Sequence, residues 1–228
     1  MATMLTLTTA AGDAISAYLA QPTGKPRGGV IILQEIFGLN SHIRGVAERY
    51  AEHGWLAVAP ALFDRLQPAT ELDYNTQAVA EGLALKNRAD AAALVDIAAA
   101  VPVAAAAGRV AVIGYCWGGS LAWRCAAGLP DNSDLSAAIC YYGGDLPRLA
   151  KLQPQCPVMA HFGEFDASIP LDDVAAFRTA QPAVQCHLYP ADHGFNCEQR
   201  GQYQEQSAEI AMERSLGFLA QHLEDQPA

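Results

Sequence analysis

Apolar and polar positions change period repeatedly along this chain. Met4 to Thr9 alternates apolar residues with threonine, and Ala14 to Ala20 is a second short extended run. Ala11-Gly12-Asp13 between them reads as the turn of a β-hairpin. Gly28 to Ile36 (GGVIILQEI) is different, a nearly continuous β-branched run of the kind buried on both faces of a parallel sheet. Asn40 or Ser41 then offers an N-cap for a helix that stops at Gly54. Trp55 to Pro60 is the next strand, followed by a polar stretch from Asp64 to Asn75 and a long Ala/Leu pattern from Thr76 to about Val101, predicted as helix. Strands are predicted at Arg109–Tyr115, Ser136–Tyr142, Pro157–Phe162 and Val184–Tyr189. Helices are predicted at Gly118–Gly128, Leu171–Ala180 and Tyr203–Leu223. Strand and helix alternate with no internal linker and no repeat of fixed period. The expectation is one α/β domain spanning 1–228, a mostly parallel sheet covered by helices on both faces, with the opening hairpin as an antiparallel edge.

Composition narrows the function classes. The 228 residues are 51% hydrophobic and 17% charged, with 19 Gly and 13 Pro, as in globular proteins. Fourteen Lys plus Arg against 24 Asp plus Glu give a formal charge of −10, which argues against nucleic acid or an anionic membrane as partner. The most apolar stretch, Ala89 to Ala107, contains Asp90, Asp96 and Pro102, so no membrane span is expected. Met1 to Ala20 lacks Lys and Arg and has no signal-peptide layout, which points to the cytoplasm. Six cysteines without C-x-x-C spacing read as free thiols.

One of those thiols stands apart. Gly114-Tyr115-Cys116-Trp117-Gly118-Gly119 lies between an apolar strand and a helical segment, the setting of a nucleophile elbow. Taken alone, a cysteine on a glycine-rich bend is more often inert and buried; the strand before it and the helix after it favour the nucleophile. A thiol nucleophile needs a base, and the base an orienting acid. Asp166 follows the strand that carries His161, and His193 follows the last strand, so nucleophile, acid and histidine come in α/β-hydrolase order. Asp192 is adjacent to His193, but neighbouring side chains diverge, so Asp166 is the expected orienter. The backbone N–H groups of Ile36 and Trp117 are the expected oxyanion hole. Glu35 at its mouth needs a partner, and Arg44 is the nearest structural one. His42 and His53 fall on a predicted surface helix, and His161 reads as structural. His193 and Cys197 are four apart, yet no further ligands cluster around them in the sequence, so neither metal nor cofactor is expected. Cys125, Cys140, Cys156 and Cys186 read as core filling.

These segments resemble the dienelactone hydrolase (carboxymethylenebutenolidase) family: Q-E-I-F-G-L at 34–39, G-Y-C-W-G-G at 114–119, H-F-G-E-F-D-A-S-I-P at 161–170 and D-H-G-F at 192–195. They occur in family order and cover nearly the whole chain. The resemblance implies a Cys116–His193–Asp166 triad on an α/β-hydrolase core, acting on small activated esters or lactones. It also implies that Glu35 faces a neutral resting thiol and takes its proton when substrate arrives. Two arginines grip a substrate carboxylate in the family, but the matching positions here hold Cys197 and Ala78, leaving Arg88, Lys86, Arg44 or Arg200 as substitutes. Gly194 stands where the family has serine. Phe37, Tyr142 and Arg88 are the weaker substrate-binding candidates. The expected partner is a small ester or lactone, and the expected state a monomer or weak homodimer. The alternatives are a carboxylesterase or thioesterase without lactone preference and, from another class, a redox-sensing thiol or ligand-binding module.

Overall fold

The computed structural model describes residues 1–224, so the last four residues of the expected 1–228 domain lie outside the described range. An eight-stranded sheet is built from β1 (Ala2–Thr8), β2 (Ala14–Ala20), β3 (Gly29–Leu33), β4 (Leu56–Pro60), β5 (Val110–Tyr115), β6 (Ala137–Tyr141), β7 (Val158–Gly163) and β8 (Gln185–Tyr189). Their spatial order is β1-β2-β4-β3-β5-β6-β7-β8. β1 and β2 form the antiparallel hairpin, and β2 pairs antiparallel with β4. From β4 onward every pairing is parallel. The register sets Gly29 opposite Val110 and Leu33 opposite Gly114, which brings the ends of β3 and β5 side by side. Chain order reverses between these two strands, and a crevice at such a switch point is where open α/β sheets bind ligands.

Burial explains the residue types. Every residue of β3, β4, β5, β6 and β7 is buried, because helices cover both faces and leave no polar side to alternate with. Helix α1 (Ser41–Glu52) is capped by Asn40, whose Oδ1 accepts from the Ile43 N–H at 3.2 Å. The long Ala/Leu pattern is not one helix. It divides into α2 (Thr76–Ala89), α3 (Ala93–Ala98) and α4 (Val101–Ala105). Pro102 suits the first turn of α4 and not a helix interior. At the earlier break Asp90 spends its carboxylate on the Trp117 indole and the Arg124 guanidinium, each at 2.9 Å. The remaining helices are α5 (Trp117–Ala126), α6 (Leu171–Ala180) and α7 (Glu205–Leu223). Among the described residues no helix is long and apolar enough to cross a membrane.

Candidate active site

The site begins with a strained turn. β5 ends at Tyr115, Cys116 takes φ 54° and ψ −114°, and α5 starts at the next residue. Positive φ on a residue with a Cβ is costly and clusters at functional sites. Two backbone bonds hold it, from the Cys116 N–H to the Tyr141 carbonyl at 3.0 Å and from the Ser120 N–H to the Cys116 carbonyl at 3.1 Å. Glycine at 114 is dictated by sterics, since a Cβ there would collide with the Gly118 carbonyl across the turn. The thiol is therefore presented at the start of α5, where backbone N–H groups and the helix dipole favour negative charge.

Loops after β7 and β8 deliver the other two groups. The N–H of Glu164 bonds the Tyr189 carbonyl at 2.8 Å, and that of Phe165 bonds the Ala191 carbonyl at 3.0 Å, so the two loops travel together. Asp166 arrives buried, with Oδ1 accepting from the Ser168 N–H at 2.8 Å. Its Oδ2 lies 2.7 Å from His193 Nδ1, and His193 Nε2 lies 3.1 Å from Cys116 Sγ. Asp192 instead accepts from the His193 backbone N–H at 2.6 Å, as expected of an adjacent residue. Burial alone would depress the His193 pKa. The charge of the neighbouring Cys116, the hydrogen bonds to Asp166 and Cys116 and the Asp166 charge outweigh it and raise the imidazole to about 10. The fully buried Tyr142 sets its ring 5.1 Å from that of His193 at an interplanar angle of 60°.

Glu35 has a different partner from the one expected. Arg44 is taken by Glu71, with Nη1 to Oε1 at 2.6 Å and Nη2 to Oε2 at 2.8 Å. Glu35 Oε1 accepts instead from Arg200 Nη1 at 3.2 Å, and Arg200 also lies over the Phe37 and Tyr74 rings at 5.7 and 5.8 Å. Gly194, at φ 82°, leaves that guanidinium its place: a Cβ there would stand 2.5 Å from Arg200 Nη1. The thiol meets His193 Nε2 and Glu35 meets Arg200, and among the described residues no hydrogen bond joins Cys116 to Glu35.

A cavity of about 340 Å³ opens on the thiol. Ile36, Phe37, Val79, Leu83 and Trp117 form its apolar walls, and Lys86, Ser120, Asp145, Ser168, His193 and Arg200 its polar points. The N–H groups of Ile36 and Trp117 donate to no acceptor among the described residues. Asp90 anchors the Trp117 indole from α2, and Phe63 stacks on it at 5.3 Å. Both cations of the cavity are paired, Arg200 with Glu35 and Lys86 with Asp145 at 3.9 Å. Arg88 is exposed on α2 and does not line the cavity, since the residues of α2 that face it are 79, 83 and 86. His42 is wholly buried, contrary to the surface-helix expectation, on the inward face of α1 beside Cys197. The Glu35–Arg200 contact joins residues 165 apart in the chain, with opposite charge its only signal in the sequence, and the Trp117–Asp90 contact, from a neutral indole to a carboxylate 27 positions away, left none.

The sheet order, the strained elbow at a switch point, and acid and histidine on the following loops make this an α/β-hydrolase fold with a thiol at the elbow. The chain belongs to the dienelactone hydrolase family, whose model matches residues 15–223, and is a carboxylic ester hydrolase of that family. Among similar proteins are provisionally named carboxymethylenebutenolidases of Yersinia pestis, 34% identical over 92% of this chain and 85% of that one, and of Synechocystis, 34% identical over 88% of this chain and 89% of that one. A crystal structure of a provisionally assigned dienelactone hydrolase from Klebsiella pneumoniae superimposes with a TM-score of 0.81 at 32% identity, covering 97% of this chain and 99% of that one.

Proposed function

We propose that the protein hydrolyses small activated esters and lactones through a covalent thioester on Cys116. The observation that carries this reading is the unbroken contact line from Cys116 Sγ to His193 Nε2 and from His193 Nδ1 to Asp166 Oδ2. The Cys116 thiolate attacks the acyl carbon, and the carbonyl electron pair moves onto oxygen, where the N–H groups of Ile36 and Trp117 receive it. Collapse of this intermediate breaks the ester bond, and the leaving oxygen takes the proton from His193 Nε2. His193 then removes a proton from water, whose oxygen attacks the thioester and expels the thiolate. Asp166 holds the imidazole in the orientation both steps need. Glu35 keeps one carboxylate oxygen, Oε2, without a hydrogen-bond partner, and we assign it the proton released when a neutral Cys116 thiol breaks its S–H bond and becomes the thiolate that pairs with His193.

The cavity favours a compact acyl group with an apolar body. A free carboxylate on the substrate has to compete with Glu35 for Arg200 or with Asp145 for Lys86, which favours an esterase without strong preference for anionic lactones. Steady-state rates on p-nitrophenyl esters and on unsaturated γ-lactones, each with and without a free carboxylate, test both levels. Cys116→Ala should abolish turnover with the circular dichroism unchanged, while Cys125→Ala, buried in α5 away from the cavity, keeps wild-type rates. Comparable turnover in Cys116→Ala overturns the covalent mechanism, and a large gain from the substrate carboxylate overturns the neutral-ester preference.

A further inference from the structure

Three ligand-capable side chains outside the proposed triad converge at one buried point. Glu35 comes from the end of β3, His42 from the first turn of α1 and Cys197 from the loop after β8. One ligand atom of each lies within 4.8 Å of the other two, and all three side chains are buried. Glu35 Oε2 and His42 Nε2 have no hydrogen-bond partner, which is costly for buried polar atoms and suits atoms kept for a ligand. His42 Nδ1 meets Glu198 Oε2 at 3.1 Å. A metal-binding histidine characteristically gives its other ring nitrogen to a carboxylate in this way, which fixes the tautomer and turns the free nitrogen to the ion. Arg200 occupies Glu35 Oε1 only and leaves Oε2 to the cluster.

The donor set selects the class of ion. Thiolate, imidazole and one carboxylate suit a borderline-soft divalent cation such as zinc, whereas magnesium and calcium take oxygen ligands. Bonds of roughly 2.0 to 2.3 Å in a tetrahedron put ligand atoms roughly 3.3 to 3.7 Å apart, so the present spacing closes by about 1.5 Å at most. We infer that Glu35, His42 and Cys197 form a three-ligand site for a zinc-like divalent cation, with the fourth position open to water. On binding, the Cys197 S–H bond and the N–H bond of a protonated His42 Nε2 break, both protons pass to solvent, and the sulfur and the freed nitrogen bond the metal. Glu35 is shared with the hydrolytic cleft, but the binding itself does not depend on the hydrolase reading.

Cobalt(II) is the probe, titrated into the full-length, reduced Cys116→Ser variant so that the elbow thiol contributes nothing. One cobalt per chain should bind with thiolate-to-cobalt charge-transfer absorption in the near ultraviolet, and added zinc should displace it. Cys197→Ser in the same background should remove that absorption, and the isosteric Glu35→Gln should weaken cobalt binding at least tenfold. Absence of the absorption at saturating cobalt overturns the site, as does its survival in folded Cys197→Ser. Should Cys197→Ser fail to fold, unchanged cobalt affinity in Glu35→Gln overturns it.

Discussion

Replacing Arg200 by glutamine strips the buried Glu35 carboxylate of its counter-charge. Glu35 is 1% exposed, and the Arg200 side chain only 16%. At the observed 3.2 Å and an effective dielectric of about 20, the gross attraction is about 5 kcal/mol. Removing one partner of a buried pair typically costs about 3 to 5 kcal/mol, because the other charge stays behind. The Arg200 contacts with the Phe37 and Tyr74 rings add to the loss on the order of 0.5 to 1 kcal/mol. For a chain of this size the summed loss lowers the melting temperature by about 7 to 24 °C. Urea unfolding of Arg200→Gln, Glu35→Gln and the double variant forms a complete cycle. The double variant should be more stable than Arg200→Gln alone, since it no longer buries an unpaired charge. A loss under about 1 kcal/mol in Arg200→Gln, with no recovery in the double variant, would refute the reasoning.

Three further outcomes follow from the same contacts. Asp166→Asn keeps the shape but removes the charge that orients His193, and kcat should fall by about 10³- to 10⁴-fold in ester hydrolysis; a loss under tenfold contradicts the orienting role. With its pKa raised from 6.5 to about 10, His193 stays protonated through neutral pH and loses its proton only as the pH rises through about 10. Nitrogen-15 NMR should see this titration move downward in Cys116→Ser, whose hydroxyl carries no charge, and an unmoved titration removes the ion pair from the account. Ser215→Ala strands His161 Nε2 and Tyr141 OH, which meet the Ser215 hydroxyl at 3.0 and 2.7 Å. It should cost about 1 to 3 kcal/mol in urea unfolding and leave ester turnover unchanged.

How far the primary structure announced all this depended on the range of each interaction. The apolar runs at β3, β5 and β6 were legible because burial on both faces leaves a continuous signature, and Leu171–Ala180 came out with its observed bounds. The Ala/Leu run after Thr76 was legible as helix but not in its division into α2, α3 and α4, because alanine suits every helix equally and carries little phase; only Pro102 marked a break. Cys116, Asp166 and His193 were legible as residues in an order, since each follows a strand and all strand ends of a parallel sheet meet at one edge. Their partners were not. Glu35 was matched to Arg44 by closeness in sequence, while the fold gives Arg44 to Glu71 and brings Arg200 from 165 positions away. His42 looked like a solvated helix residue because a single histidine does not disclose which face of α1 turns inward. Cys197 looked incidental until the loop after β8 set it beside Glu35 and His42.

The covalent role of Cys116 is tested most directly by acid-quenching the protein in the first turnovers of a p-nitrophenyl ester and mapping the modified peptide by mass spectrometry. The account predicts one acyl group per chain on the peptide containing Cys116, absent from Cys116→Ala. Full turnover with no acylated peptide, or an acyl group on another residue with Cys116 unmodified, would contradict it.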